Sequence, residues 1–111
     1  MTRMAPWLML TLAICSEVIG TSALRASEGF TRPVPIAVTA VTYALSFYLL
    51  ALVMRHLDLS LTYAIWSGAG TAAIAAVGVL WFGEGFGAVK AFGIALVIAG
   101  VVVVNLADRA L

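Results

Sequence analysis

The stretch Ala13-Ile-Cys-Ser-Glu-Val-Ile-Gly-Thr-Ser-Ala-Leu24 places one carboxylate, Glu17, inside the first long apolar run, Met4 to Leu24. A run of that length crosses a bilayer as a helix, which needs about 20 mostly apolar residues. A carboxylate at that depth costs roughly 2.5 kcal/mol or more. Chains keep such a group when it faces a protein interior or a watery path. No other acid lies well inside an apolar run of this sequence, so the remaining spans read as the housing for Glu17.

The chain has 111 residues, 64% of them hydrophobic and 10% charged. Soluble domains carry about 25% charged residues, so this composition excludes an ordinary soluble globule. A net charge of +1 gives no pull toward nucleic acid or an acidic partner. The single cysteine, Cys15, rules out an internal disulfide and a cysteine-built metal site, and reads as a small packing residue. The N-terminal run is not expected to be a cleaved leader. It continues past Cys15, Ile14 stands where a small residue would precede a lipidated cysteine, and three further apolar runs follow.

Outward from Glu17, the first span is expected at 4–24, with Pro6 harmless in its first turn. The connector Arg25–Arg32 is polar, and Pro33 and Pro35 mark the entry to a second span, 34–54. The connector Arg55-His-Leu-Asp58 is so short that the spans on either side must be antiparallel neighbours. His56 reads as an ordinary solvated loop residue. A third span follows at 59–82, then the glycine-rich connector Gly83–Gly87, then a fourth span at 88–107. The expectation is an all-α membrane protein, one four-helix transmembrane domain over 1–111. It has no nucleotide loop, metal cluster or catalytic triad, and so no enzyme activity, cofactor or metal is expected.

Cytoplasmic loops usually carry the excess of Lys and Arg. Arg3, Arg55 and Arg109 fall on one side here, and Arg25, Arg32 and Lys90 on the other. Either the bias is weak and one orientation is still chosen, or copies insert both ways and pair as an antiparallel dimer. Size also points to a dimer, because a four-helix bundle fills its own centre with side chains. Gly93 and Gly100, seven apart on one face of the fourth span, offer a close helix contact. Their alternative reading is ordinary membrane-helix background.

On a helix the face of Glu17 carries Leu10, Ala13, Ile14, Gly20, Thr21 and Leu24, with Trp7 ten residues before it. Ala13 and Gly20 are small and are expected to leave room around the carboxylate, and Thr21 offers it a hydroxyl. Two such carboxylates facing each other in a dimer would titrate as a coupled unit. A structural ion pair with Arg25 is the alternative. The second span presents Tyr43 and Phe47 with Ser46 beside them; the third presents Tyr63, Trp66 and Gly70. Aromatic faces beside a carboxylate recognise quaternary or delocalised cations, whereas aromatics alone more often serve packing or interfacial anchoring. Gly68 and Gly70 weaken the third helix at its middle and would allow a kink.

Glu17-Val-Ile-Gly-Thr21, Ser27-Glu-Gly-Phe-Thr-Arg32, Tyr63-Ala-Ile-Trp-Ser-Gly68 and Asn105-Leu106, in that order, resemble the small multidrug resistance family of bacterial inner-membrane exporters. The resemblance implies an antiparallel, dual-topology homodimer that exports cationic compounds in exchange for protons. It implies that Glu17 binds substrate and proton in turn, that Trp66, Tyr43 and Tyr63 line the pocket, that Gly68 and Gly70 kink the third span, and that Gly93 and Gly100 lie in the dimer contact. Leu10, Ile14, Trp7, Thr21 and Phe47 complete the expected substrate wall. The expected partners are lipophilic cations, protons, a second copy and membrane lipid.

One branch of that family exports guanidinium and carries Trp three residues after the glutamate. Gly20 stands there in this chain, which favours the multidrug branch. Trp7 stands where a tyrosine is common, and Asp58 where a loop proline is common. The other readings are a guanidinium or polyamine exporter of the same family, and a small subunit that only stabilises a larger membrane complex.

Overall fold

A computed structural model describes residues 4–110 and places four α-helices among them: α1 (Met4–Ala26), α2 (Pro33–Val53), α3 (Leu59–Trp81) and α4 (Ala88–Ala110). Each has 21 or 23 residues, about 32–35 Å at 1.5 Å per residue, which matches a hydrocarbon core of about 30 Å. All four are long and apolar enough to cross a membrane. Helices suit this solvent because they satisfy their own backbone polar groups where lipid offers no partner. The chain is an all-α, four-span membrane protein, and α1 and α4 run slightly past the spans expected from hydropathy. Arg3 lies outside the described residues. The chain divides into two compact units between Leu57 and Asp58.

In the first unit α1 and α2 are antiparallel neighbours tied by hydroxyl groups. Thr39 Oγ1 donates to the Gly20 carbonyl at 3.0 Å, sharing its proton with the Pro35 carbonyl at 3.0 Å. Seven residues on, Ser46 Oγ donates to the Ala13 carbonyl at 2.8 Å. Thr39 and Ser46 are both buried, as are Leu10, Ala13, Leu50 and Val53. Lipid tails are as apolar as leucine, so helix pairs in membranes associate through close packing and such polar ties. Pro33 and Pro35 start α2 without loss, since its first N–H groups have no partner inside the helix, and Arg32 before them is extended.

The connector from α1 to α2 is a braced turn. Ser27 is fully buried, and its hydroxyl donates to the Leu24 carbonyl at 2.7 Å while accepting the Phe30 N–H at 3.1 Å. Its carbonyl accepts the Thr31 and Arg32 N–H groups and the Thr31 hydroxyl. The chain passes through three successive residues of positive φ, Glu28 (50°), Gly29 (73°) and Phe30 (66°). Only Gly29 adopts that region freely; each of the others costs roughly 1–2 kcal/mol, which the Ser27 bonds offset.

In the second unit Gly68 of α3 lies flush against Val101 of α4, whose methyl occupies the place a β-carbon would take. At the far end of α3, Gly83 (φ 67°) turns the chain, and the Glu84 N–H returns to the Gly78 carbonyl at 2.9 Å. The Glu84 carboxylate lies over Gly78, which has no side chain to displace it. Lys90 Nζ sits 3.9 Å from Glu84 Oε1 and donates to the Gly85 carbonyl at 3.2 Å, which fastens the connector to the first turn of α4. The outer face of α4 is open: Val89, Phe92, Leu96, Val103 and Leu106 are all exposed.

Candidate functional site

Glu17 lies half-buried just past the middle of α1. One turn on, the Thr21 hydroxyl donates to Glu17 Oε1 at 2.7 Å. Tyr43 of α2 brings its phenol oxygen to 2.6 Å from the Thr21 hydroxyl. Thr21 has one proton, and it is committed to the carboxylate. Tyr43 therefore donates to Thr21, and the two hydroxyls form a chain directed at Glu17. Bonds to an ionised acceptor are the stronger kind, each contributing about 1.5–3 kcal/mol.

The surrounding backbone fixes Glu17 as well. By the helical i to i−4 rule the Glu17 N–H bonds the Ala13 carbonyl, the same carbonyl that takes the Ser46 hydroxyl. Thr39 grips the carbonyl of Gly20, three residues on the other side. The hydroxyl residues Thr39, Tyr43 and Ser46 share one face of α2 at helical spacing, and Glu17 stands between the points they hold. In the sequence Ser46 stands out only as a neighbour of Tyr43 and Phe47, and Thr39 does not stand out, yet the i, i+4, i+7 row of hydroxyls is visible there.

The space expected beside Gly20 is occupied. A β-carbon at residue 20 would lie 2.5 Å from Tyr43 Cδ1 and 2.6 Å from Thr42 Oγ1, so the tyrosine ring fills what looked like room around the carboxylate. Ala13 and Leu10 are fully buried, while Ile14 is half-buried and Trp7 is exposed. Tyr43 also meets the exposed Phe47 edge-on, with ring centroids 6.3 Å apart at 70°.

The other expected aromatics lie in the second unit. Tyr63 and Trp66 form an edge-to-face pair with centroids 5.5 Å apart at 86°. Trp66 is half-buried, and Tyr63 is exposed. Thr62, one turn before Trp66, holds a buried hydroxyl with no hydrogen-bond partner among the described residues. Helix α3 runs without a break through Gly68 and Gly70, both buried. Gly93 and Gly100 are exposed on α4 with open space beside them. Among the described residues no group of three or more His, Cys, Asp or Glu side chains is placed to hold a metal.

A family model described as Small Multidrug Resistance protein matches residues 5–97. This chain belongs to the small multidrug resistance family. Among its relatives is the quaternary ammonium compound-resistance protein QacE of Escherichia coli, 44% identical over 107 residues that cover 96% of this chain and 97% of that one. The multidrug resistance protein EbrA of Bacillus atrophaeus is 48% identical, covering 89% and 94%. EbrB of Bacillus subtilis (strain 168) is 51% identical over 88% of this chain and 84% of its own. As a small multidrug resistance protein with four apolar spans, it is a multi-pass transporter of the bacterial inner membrane.

Proposed function

We propose that this protein exports lipophilic and quaternary ammonium cations by proton-coupled antiport, as an antiparallel homodimer of oppositely inserted copies. The observation that carries the proposal is the membrane-embedded Glu17 at the end of the Tyr43–Thr21 hydroxyl chain. That carboxylate can neutralise either a proton or an organic cation. The names of the relatives, which speak of quaternary ammonium and multidrug resistance, support this cation class over guanidinium or polyamines. A cation entering from the cytoplasmic side displaces protons from the Glu17 pair, the dimer reorients, with Gly68 and Gly70 as the point at which the otherwise unbroken α3 can flex, and outside protons displace the cation. Tyr43, Phe47, Tyr63, Trp66 and Trp7 supply the aromatic faces, and Gly93 and Gly100 on the open face of α4 supply the dimer contact.

The test is calorimetric binding of tetraphenylphosphonium, a permanently charged aromatic cation, in buffers of different ionisation enthalpy from about pH 5 to pH 9. Binding is expected to release protons, and its apparent affinity to fall as pH drops, because protonated Glu17 is the competitor at lower pH. Binding without proton release anywhere in that range would remove proton coupling from the proposal.

Dual insertion rests on the balance of three basic residues against three. With Cys15 replaced and a single cysteine placed in each connector in turn, membrane-impermeant labelling should reach every connector from both sides. Two lysines added between Arg55 and Asp58 should drive all copies to one orientation. One fixed orientation in the native chain would instead point to a second, different subunit.

A further inference from the structure

Gly20 is buried at the crossing of two independent contacts. Its carbonyl takes the Thr39 hydroxyl, which sets the height of α2 along α1. Its missing side chain takes the Tyr43 ring, which sets how close α2 comes. The next residue, Thr21, is the one Tyr43 must reach, and the 2.6 Å contact between their hydroxyls leaves no slack. From these contacts we infer that Gly20 is a positioning residue for Glu17. The absence of a β-carbon there is what lets the Tyr43 phenol donate its hydrogen bond to the Thr21 oxygen and so aim the Thr21 hydroxyl at the carboxylate. The inference rests on the reading of Glu17 as the group that binds cation and proton.

The physical argument is one of distance. A β-carbon 2.5–2.7 Å from two carbons of a tyrosine ring is far inside van der Waals contact. The ring is stiff, and Phe47 packs against its edge, so it yields by moving as a body away from α1. A shift of about 1 Å takes a 2.6 Å oxygen contact beyond hydrogen-bond range. Thr21 then keeps its own bond to Glu17, one turn away on the same helix, but loses the donor that polarises it. Thr42 meets the same β-carbon, but its hydroxyl already donates to the Val38 carbonyl and it has no part in the chain to Glu17.

The experiment compares five forms of the full chain in liposomes: wild type, Gly20→Ala, Tyr43→Phe, Tyr43→Ala, and Gly20→Ala combined with Tyr43→Ala. Tetraphenylphosphonium affinity and proton release are measured across pH, and the Tyr43 ring is followed by its NMR signals. Tyr43→Phe keeps the ring and its packing and removes only the hydroxyl. Gly20→Ala and Tyr43→Phe should weaken cation binding to a similar extent, about tenfold, the size of one lost bond in a charge-directed chain. Both should also alter the pH profile, which a purely structural change would leave in place. The double variant should bind like Tyr43→Ala alone, since without the ring there is nothing to displace. Wild-type affinity in Tyr43→Phe, or a double variant that loses the product of the two single losses, would overturn the inference. The two readings fail differently. A wild type that binds without releasing protons sinks the role of Glu17, whereas an unshifted Tyr43 ring signal in Gly20→Ala sinks the role of Gly20.

Discussion

Glu17→Gln is expected to abolish gradient-driven cation transport while leaving the chain folded. The amide is nearly isosteric, and its oxygen can still accept the Thr21 hydroxyl, so the ties between α1 and α2 remain. What disappears is the charge and the capacity to take up a proton. Removing one partner of a desolvated charge pair costs about 3–5 kcal/mol, so binding of a permanent cation should weaken by roughly 100-fold or more. Proton release on binding should fall to zero. Glu17→Asp should behave differently: it keeps the charge but draws the carboxylate about one carbon–carbon bond back from Thr21, retaining some exchange with an altered pH profile. Substrate-dependent proton flux in liposomes distinguishes these outcomes. Active antiport by Glu17→Gln would place the coupling group elsewhere in the chain.

The second large effect is expected at the contact between α3 and α4. Gly68→Val puts a branched side chain into space already held by the Val101 methyl, with Val97 nearby. Overpacking of this kind costs typically about 1–3 kcal/mol. The better helix propensity of valine returns only a few tenths, so the net change is destabilising. Val101→Ala clears the space, and the double variant should recover most of the loss, with a coupling energy of about 1–2 kcal/mol. Reversible unfolding of the purified chain in mixed micelles measures all four corners of the cycle. Independent, additive effects would show that Val101 does not occupy the Gly68 face.

The four spans could be read from sequence because lipid leaves a chain few choices: about 20 apolar residues in a row, each backbone group satisfied within its own helix. Glu17 and Thr21 could be read as a pair because i and i+4 meet on any helix. Tyr43 reaches them across 22 residues of sequence, and no periodicity reports such a meeting. Gly20 was legible as small but not as filled, since a missing side chain looks the same in sequence whether space is left open or taken by a neighbour. The connector Ser27–Arg32 shows the same limit. Its composition marks a turn and Gly29 suggests where, but positive φ at Phe30 follows from the bonds gathered on Ser27, not from any preference of phenylalanine.

The two hydroxyl ties of the first hairpin also have a mechanical meaning. They grip α1 at residues 13 and 20, about 10 Å apart along its axis, and the Ser27 turn closes one end. A pair of rods pinned at two heights and welded at the tip can neither slide nor scissor without breaking a pin. The hairpin that carries the carboxylate is therefore stiff, and any displacement of it would carry Glu17 together with its hydroxyl escort.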